Sequence, residues 1–317
     1  MNIFICGLGL IGGSVAKAVK AHTFHTVIGF DRDDAVCRAA IAEGAIDRAG
    51  SVGDLAACDL VLVALYPDAA AAFVSENLAK FKPGAILVDT CGIKSAVAAK
   101  IAAAIKGSSI RYIGGHPMAG TERSGYENAF GDLFAGASMI LCPDYCDDEK
   151  ALKTVSDFFL EIGFGRITVS NCAHHDEVIA FTSQLAHVVS SAYIHGRLST
   201  AYSGFSAGSF ADMTRVARLS ADMWTELFFE NGENLSAAIG ELIENLEKYK
   251  TALDSGEYGA ILRAKGIVAA ADGGQWLHYD FVPEEHQVRR GPADYTGRIC
   301  VIGSQLKEDK LSQLFGL

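Results

Sequence analysis

Proline is scarce in this chain, with six in 317 residues, at 67, 83, 117, 143, 283 and 292, and none from 144 to 282. Proline is the main helix breaker, so the gap predicts long helices through the second half. No uncharged apolar run reaches the roughly 20 residues of a membrane-spanning helix. The chain enters a strand pattern at Asn2 with no basic or long apolar leader, so no signal peptide is expected. Basic charge is also short, 27 Lys and Arg against 38 Asp and Glu for a net charge of −11. That balance excludes a general nucleic-acid or anionic-membrane partner but leaves room for a local basic pocket. The eight cysteines, at 6, 37, 58, 91, 142, 146, 172 and 300, include no C-x-x-C pair. They read as reduced, mostly buried thiols of a cytoplasmic protein, and neither a disulfide frame nor a metal site is expected.

Half of the residues are hydrophobic, enough for a large core, and the length points to two domains. Residues 2–6, N-I-F-I-C, form an apolar strand run, followed at once by G-L-G-L-I-G-G and a helical pattern through Val15, Ala18 and Val19. In a strand, glycine turn and helix of this kind, Gly7 permits the turn and Gly9 lets backbone approach a pyrophosphate. Gly12 lets the helix pack closely, and the first helical residues, Leu10 and Ile11, aim free N–H groups at the phosphates. A second strand over 26–30 ends at Asp31, where an acid meets the adenosine ribose of a dinucleotide. A carboxylate there favours NAD over NADP, with Arg32 the neighbouring charge that pulls the other way. The competing reading of Asp31 is a simple helix cap.

Strands and helices go on alternating: strands over 59–64, 85–89, 110–114, 137–142 and 166–169, and helices over 68–80, 95–105 and 148–161. This pattern defines an α/β, Rossmann-type, doubly wound and mostly parallel sheet, followed by an all-helical second domain. Ligands of such sheets bind beyond the carboxyl ends of the strands. Leu65, Tyr66, Pro67, Thr90 and Gly92 fall there, and so does His116. The segment 111–125, R-Y-I-G-G-H-P-M-A-G-T-E-R-S-G, brings a short strand to a glycine stop, turns sharply through His-Pro and presents Thr121, Glu122, Arg123 and Ser124. Its composition alone suits an ordinary polar loop as well as a catalytic one. A histidine with the ordinary pKa of about 6.5 would lose a base role in mild acid.

Strand patterns stop near Val169. Helical periodicity then runs over 174–196, with His187 inside it, and over 223–249. Between them lies a stretch of small residues that turns cationic at Arg215 and Arg218, and arginine grips carboxylates well. Helices this long suit a homodimer through this half. The expected domains are 1–170 for cofactor, 171–256 for substrate and dimerisation, and a 257–317 extension of unassigned role packed on the helices. That extension holds a strand-like R-I-C-V-I and no recognisable regulatory module.

With these residues in place, the chain resembles the prephenate/arogenate dehydrogenase family of tyrosine biosynthesis over about residues 1–255. The resemblance rests above all on G-G-H-P-M-A-G-T-E-R-S-G, with His175-Asp176, S-Q-L-A-H over 183–187, F-A-D-M-T-R-V-A-R, and Asp222 to Trp224 in support. It implies that His116 bonds the substrate's ring hydroxyl, His187 supports the site and Arg215 holds a substrate carboxylate. Thr121, Glu122 and Gly208 would line the pocket, with a tryptophan at the place of Trp224 able to reach in from the other subunit. Three positions depart from the family pattern: Gly92 stands for a serine, Gln184 for a histidine, and Ala211 for a lysine of some members. The implied reaction is NAD-dependent oxidative decarboxylation of prephenate, with arogenate as the alternative substrate. Remoter alternatives are a β-hydroxyacid or imine reductase and a non-catalytic NAD-sensing dimer.

Overall fold

A computed structural model of the chain describes residues 1–255 other than 122, 218 and 219, together with the strand segments 261–269, 276–282, 285–291 and 298–303. It divides into two compact units, 1–238 and 239–317.

The first unit opens with β1 (Asn2–Cys6), α1 (Leu10–His22), β2 (Thr26–Phe30), α2 (Asp34–Ala42), β3 (Arg48–Ala49), β4 (Leu60–Val63), α3 (Pro67–Asn77), β5 (Ile86–Asp89) and α4 (Ser95–Ile105). It continues with β6 (Arg111–Pro117), β7 (Ser138–Cys142), α5 (Glu149–Glu161) and β8 (Arg166–Val169). The eight strands form one sheet in the order β3-β2-β1-β4-β5-β6-β7-β8. All neighbours are parallel except β6 and β7, which pair antiparallel with His116 opposite Ile140.

The strands read as unbroken apolar runs because both faces of the sheet are covered. Successive side chains alternate, so Ile3 and Ile5 of β1 join α1, α2 and α5 in one core, while Phe4 and Cys6 join α3 and α4 in the other. Acidic or amide caps start the helices: Asp33 on α2, Asp148 on α5. Asp33, not Asp31, is thus the cap of α2.

The glycines of β6 correct one expectation. The chain does not turn at His116-Pro117; the strand runs through both residues and pairs with β7. A Cβ on Gly115 would lie 2.5 Å from the Asp89 carbonyl oxygen, so glycine is needed there for close strand packing, not for a turn.

After the sheet come α6 (Cys172–Ile179), a π-helical turn (Ala180–Gln184), α7 (Leu185–Ile194), α8 (Gly208–Arg215), α9 (Ala221–Glu230) and α10 (Gly232–Ser255). The helix expected without interruption over 223–249 breaks at Asn231. The Asn231 amide is buried and donates to the Asp176 carbonyl and to Gln184 Oε1, at 2.9 and 2.8 Å. Lys100 of α4 bridges Asp68 and Glu230, and Asp68 N–H donates to Glu226, which ties α3 and α4 to α9. No described helix is long and apolar enough to cross a membrane.

The second unit holds β9 (Ile261–Ala269), β10 (Trp276–Val282), β11 (Glu285–Gly291) and β12 (Arg298–Gly303). They form an antiparallel sheet in the order β11-β10-β9-β12. Two of these strands lie within the proline-free stretch, where helices were expected. Proline is as unwelcome in a paired strand as in a helix, so its absence does not choose between them.

Under the carboxyl ends of β5 and β6 lies a buried ion pair. Lys94 and Asp89 are both 0 % exposed and in direct contact. Lys94 Nζ also donates to the Gly115 carbonyl at 2.6 Å, while Asp89 accepts from Cys91 N–H and Tyr112 O–H at 2.8 and 2.7 Å. Burial alone would lower the lysine, but the Asp89 carboxylate outweighs it and the Lys94 pKa is raised. Replacing one partner leaves the other charged and unmatched, so Lys94→Met is expected to cost about 3–5 kcal/mol of stability. Urea denaturation measures this, and a loss under about 1 kcal/mol would contradict the assignment of a charged pair.

Candidate active site

A cleft of about 1220 Å³ opens beyond the carboxyl ends of β1, β2, β4, β5 and β6. Its first half is the glycine turn. Gly7 has φ +86°, a conformation that side chains rarely adopt, and a Cβ on Gly12 would lie 1.9 Å from the Gly7 carbonyl oxygen. A Cβ on Gly9, in contrast, would meet nothing within 4 Å. The turn is therefore closed behind Gly7 and Gly12 and open in front of Gly9, where the N-terminus of α1 presents its free N–H groups. Asp31 lines the cleft beside it, and its carboxylate accepts Leu8 N–H at 2.8 Å and Asp33 N–H at 3.0 Å. Leu10, Ile11, Arg32, Leu65, Tyr66 and Thr90 also face this half. Pro67 starts α3 and is buried outside the lining. A dinucleotide fits this arrangement: an open phosphate cradle, a carboxylate at ribose distance in the fold, and apolar walls.

The second half of the cleft is built around His116, at the end of β6, partly open to the cleft and otherwise enclosed. Its Nδ1 lies 2.8 Å from His175 Nε2, and His175 Nδ1 lies 2.8 Å from Asp176 Oδ1. Asp176 also accepts Lys94 N–H and Ser95 N–H, both at 2.7 Å, and so caps the N-terminus of α4 from another element. Burial would raise its carboxyl, but the hydrogen bonds from His175 and Ser95 hold it below the usual carboxylate range. The His116 pKa is driven well below its ordinary value by burial, then by His175 and the Lys94 ammonium, against a smaller opposing pull from Asp176. His116 Nε2 is on the cleft side: a Cβ on Gly92 would lie 3.9 Å from it and 3.6 Å from the Leu227 methyl groups.

His187 of α7 lines the cleft opposite, with its Nδ1–H donating to the Val216 carbonyl at 2.8 Å and its ring 3.9 Å from that of Trp224 in the same chain. Thr121, Arg215 and Trp224 line the cleft as well. Gly208, the first residue of α8, is exposed and does not. Glu122 and Arg218 lie outside the described residues. Gln184 is structural, its amide donating to the Leu227 carbonyl at 2.8 Å. The sequence reading gave no role to four buried residues of this centre, Lys94, His175, Asp176 and Asn231, although it noted the His175-Asp176 pair. The signal for His175 and Asp176 was a His-Asp pair four and five residues after a helix cap, Asn171.

Among the described residues one further grouping has metal-ligand types: Cys142, Asp144 and Cys172, at the far end of β7. Asp144 is engaged by the Cys172 N–H, and the Cys172 thiol is raised by Cys142 and by burial. A thiol pushed up in this way, beside a carboxylate already bonded to backbone, is not a prepared ligand set.

Taken together, the sheet, the glycine turn and the cleft define an NAD-dependent dehydrogenase. The nucleotide-binding-domain model of prephenate dehydrogenase matches residues 15–169, and the model of its dimerization domain matches 171–264. The chain is 34 % identical to the cyclohexadienyl dehydrogenase of Zymomonas mobilis over 276 residues, 81 % of this chain and 90 % of that one. It is 27 % identical to the prephenate dehydrogenase of Bacillus subtilis over 98 % of this chain and 86 % of that one. Among solved structures, Synechocystis arogenate dehydrogenase superposes with a TM-score of 0.72 at 25 % identity, covering 81 % and 94 % of the two chains. The prephenate dehydrogenase of A. aeolicus, in complex with hydroxyphenyl propionate and NAD+, gives 0.70 at 26 %, covering 81 % and 92 %. The chain belongs to the prephenate dehydrogenase family. In the C-terminal segment, the model of the C-terminal domain of cobalamin synthesis protein cobW matches residues 241–316.

The enclosure of His116 moves its titration below the mild-acid range expected from sequence. Burial penalises the charged ring, so a nitrogen-15 NMR titration of His116 should have its midpoint below about 6.5. A midpoint at or above that value would refute the assigned environment. Between the two values only the unfolded chain takes up the proton, so this group makes stability fall as pH drops below about 6.5.

Proposed function

We propose that the enzyme converts prephenate to 4-hydroxyphenylpyruvate and carbon dioxide with reduction of NAD, arogenate being the competing substrate, with tyrosine as its product. The observation that carries this reading is the neutral His116, with Nε2 facing the cleft beside Gly92, between the glycine turn and the wall formed by His187, Arg215 and Trp224. The related A. aeolicus enzyme binds a phenol carboxylate together with NAD+, a pair of the same chemistry.

Gly7, Gly9 and Gly12, with Leu10, Ile11, Asp31, Arg32, Leu65, Tyr66 and Thr90 around them, would hold NAD, which would supply the hydride acceptor for the ring carbon bearing the hydroxyl. As hydride leaves that carbon, His116 Nε2 accepts the hydroxyl proton and the oxygen becomes a carbonyl. Loss of the ring carboxylate as carbon dioxide then returns an electron pair to the ring, the oxygen recovers its proton, and the product is a phenol. Aromatisation drives the sequence, so the protein has to orient, exclude water and hold one proton. Arg215 pairs with a substrate carboxylate, His187 supports it, and Thr121 and Trp224 frame the rest. On this reading residues 1–170 serve the cofactor and 171–256 the substrate. The second region also makes a homodimer, so sedimentation equilibrium should give twice the 33.6 kDa of the chain; a monomer mass would refute it.

NADH formation with prephenate, then with arogenate, is the direct test. NAD binding without turnover on either would favour a sensor over an enzyme. His116→Asn should lower kcat by about two to four powers of ten with little change in KM. Arg215→Ala should instead raise KM about 10- to 100-fold, the value of a charged hydrogen bond. Wild-type turnover in the first variant, or an unchanged KM in the second, would remove that residue from its role.

A further inference from the structure

The atoms behind His116 settle which of its nitrogens carries a proton. An ionised carboxylate only accepts hydrogen bonds. Asp176 is held in that form by Lys94 N–H, Ser95 N–H and His175. His175 Nδ1, 2.8 Å from Asp176 Oδ1, must therefore be the protonated nitrogen. In a neutral ring its Nε2 is then a bare lone pair. That lone pair faces His116 Nδ1 at 2.8 Å, so His116 Nδ1–H donates. His116 Nε2 is left as the acceptor, on the side of Gly92 and the cleft.

We infer that His175 and Asp176 are positioning residues: through two consecutive hydrogen bonds they fix His116 as the Nδ1–H tautomer, so that the base nitrogen faces the substrate hydroxyl before it arrives. Without them the neutral ring has two tautomers of similar energy, one of which presents an N–H donor to a hydroxyl that has to give up its own proton. The same pair acts during the reaction. When the hydroxyl proton reaches Nε2, the charge formed on a ring that burial and Lys94 keep neutral is shared through Nδ1–H···Nε2 toward the Asp176 anion. The geometry also explains the rigidity of the arrangement. His175 is buried, its ring edge-on to that of His116 with centroids 5.1 Å apart, and Asp176 is anchored by the backbone of α4. This inference rests on the reading of His116 as the base.

Asp176 also caps α4, so a change there would confound folding with catalysis; His175 is the better place to test. In His175→Gln the amide oxygen stands near the place of Nε2 and can accept His116 Nδ1–H. In His175→Leu nothing can. The leucine variant should lose about a hundredfold or more in kcat, with KM changed by less than about threefold, and the glutamine variant should recover at least about tenfold of that loss. Equal loss in both variants, or a loss carried by KM, would overturn the inference. A second readout needs no substrate: nitrogen-15 shifts of His116 in the full-length protein should show Nδ1 protonated and Nε2 bare. The opposite tautomer would overturn it too. If the parent enzyme turns over neither prephenate nor arogenate, the proposed reaction fails on its own and the tautomer still decides this point.

Discussion

The carboxylate of Asp176 is the constraint on which the rest of the structure depends. It receives two backbone N–H groups from the start of α4 and one ring N–H from His175, so three orphan donors from two elements are satisfied by one group. Its negative charge sits where a helix N-terminus welcomes it. Lys94 extends the knot, giving its N–H to Asp176 while its ammonium reaches Asp89 and the carbonyl of Gly115, the residue before His116. The ends of β5 and β6 and the start of α6 are thereby fixed relative to one another by charged hydrogen bonds in a dry interior. Such an interior makes each of these bonds strong and leaves each group costly to strand.

That dryness also sets the chemistry. A histidine in water would be partly charged near neutral pH; enclosed beside an ammonium, it stays neutral and keeps a lone pair free. The cost is that a proton arriving at His116 enters a hostile environment, and a nearby anion offsets this. Asp176 is near enough, through His175, to help in the transition state, and far enough not to charge the ring at rest. The glycine turn contributes in the opposite sense, by being empty: the bare side of Gly9 and the missing side chain of Gly92 are spaces that larger residues would fill.

Much of the sheet was legible in the sequence because its strands are buried on both faces. β1, β4 and β5 read as apolar runs, and α4 was bounded correctly at Ser95 and Ile105. The glycine fingerprint was legible because Gly7 and Gly12 each answer a local backbone demand. What was not legible lies at long sequence separation. His116 meets His175 59 residues away, and Lys94 meets Asp176 82 residues away, and no local pattern announces such partners. β6 was cut short because Gly114 and Gly115 look like a stop, whereas their small size serves the neighbouring strand. The strands β9 and β10 were not read at all: the lack of proline up to 282 points to long helices in general, but it excludes only proline's own effects and says nothing more.

The π-helical turn at Ala180–Gln184 has a consequence of its own, for length. His175 and His187 are separated by twelve positions, and on an uninterrupted α-helix they would point about 120° apart. The turn absorbs one extra residue, seen in the Leu185 N–H reaching back to the Ala180 carbonyl, and brings that offset down to about 20°. The two side chains can then project from the same side, His187 onto the cleft and His175 behind His116. The spacing within 180–184 therefore sets the direction of His187: a one-residue insertion would turn it by about 100°, whereas removing the extra residue would heal the helix and keep the offset near about 20°. Gln184, bonded to Leu227 and Asn231, fixes one identity in this segment as well.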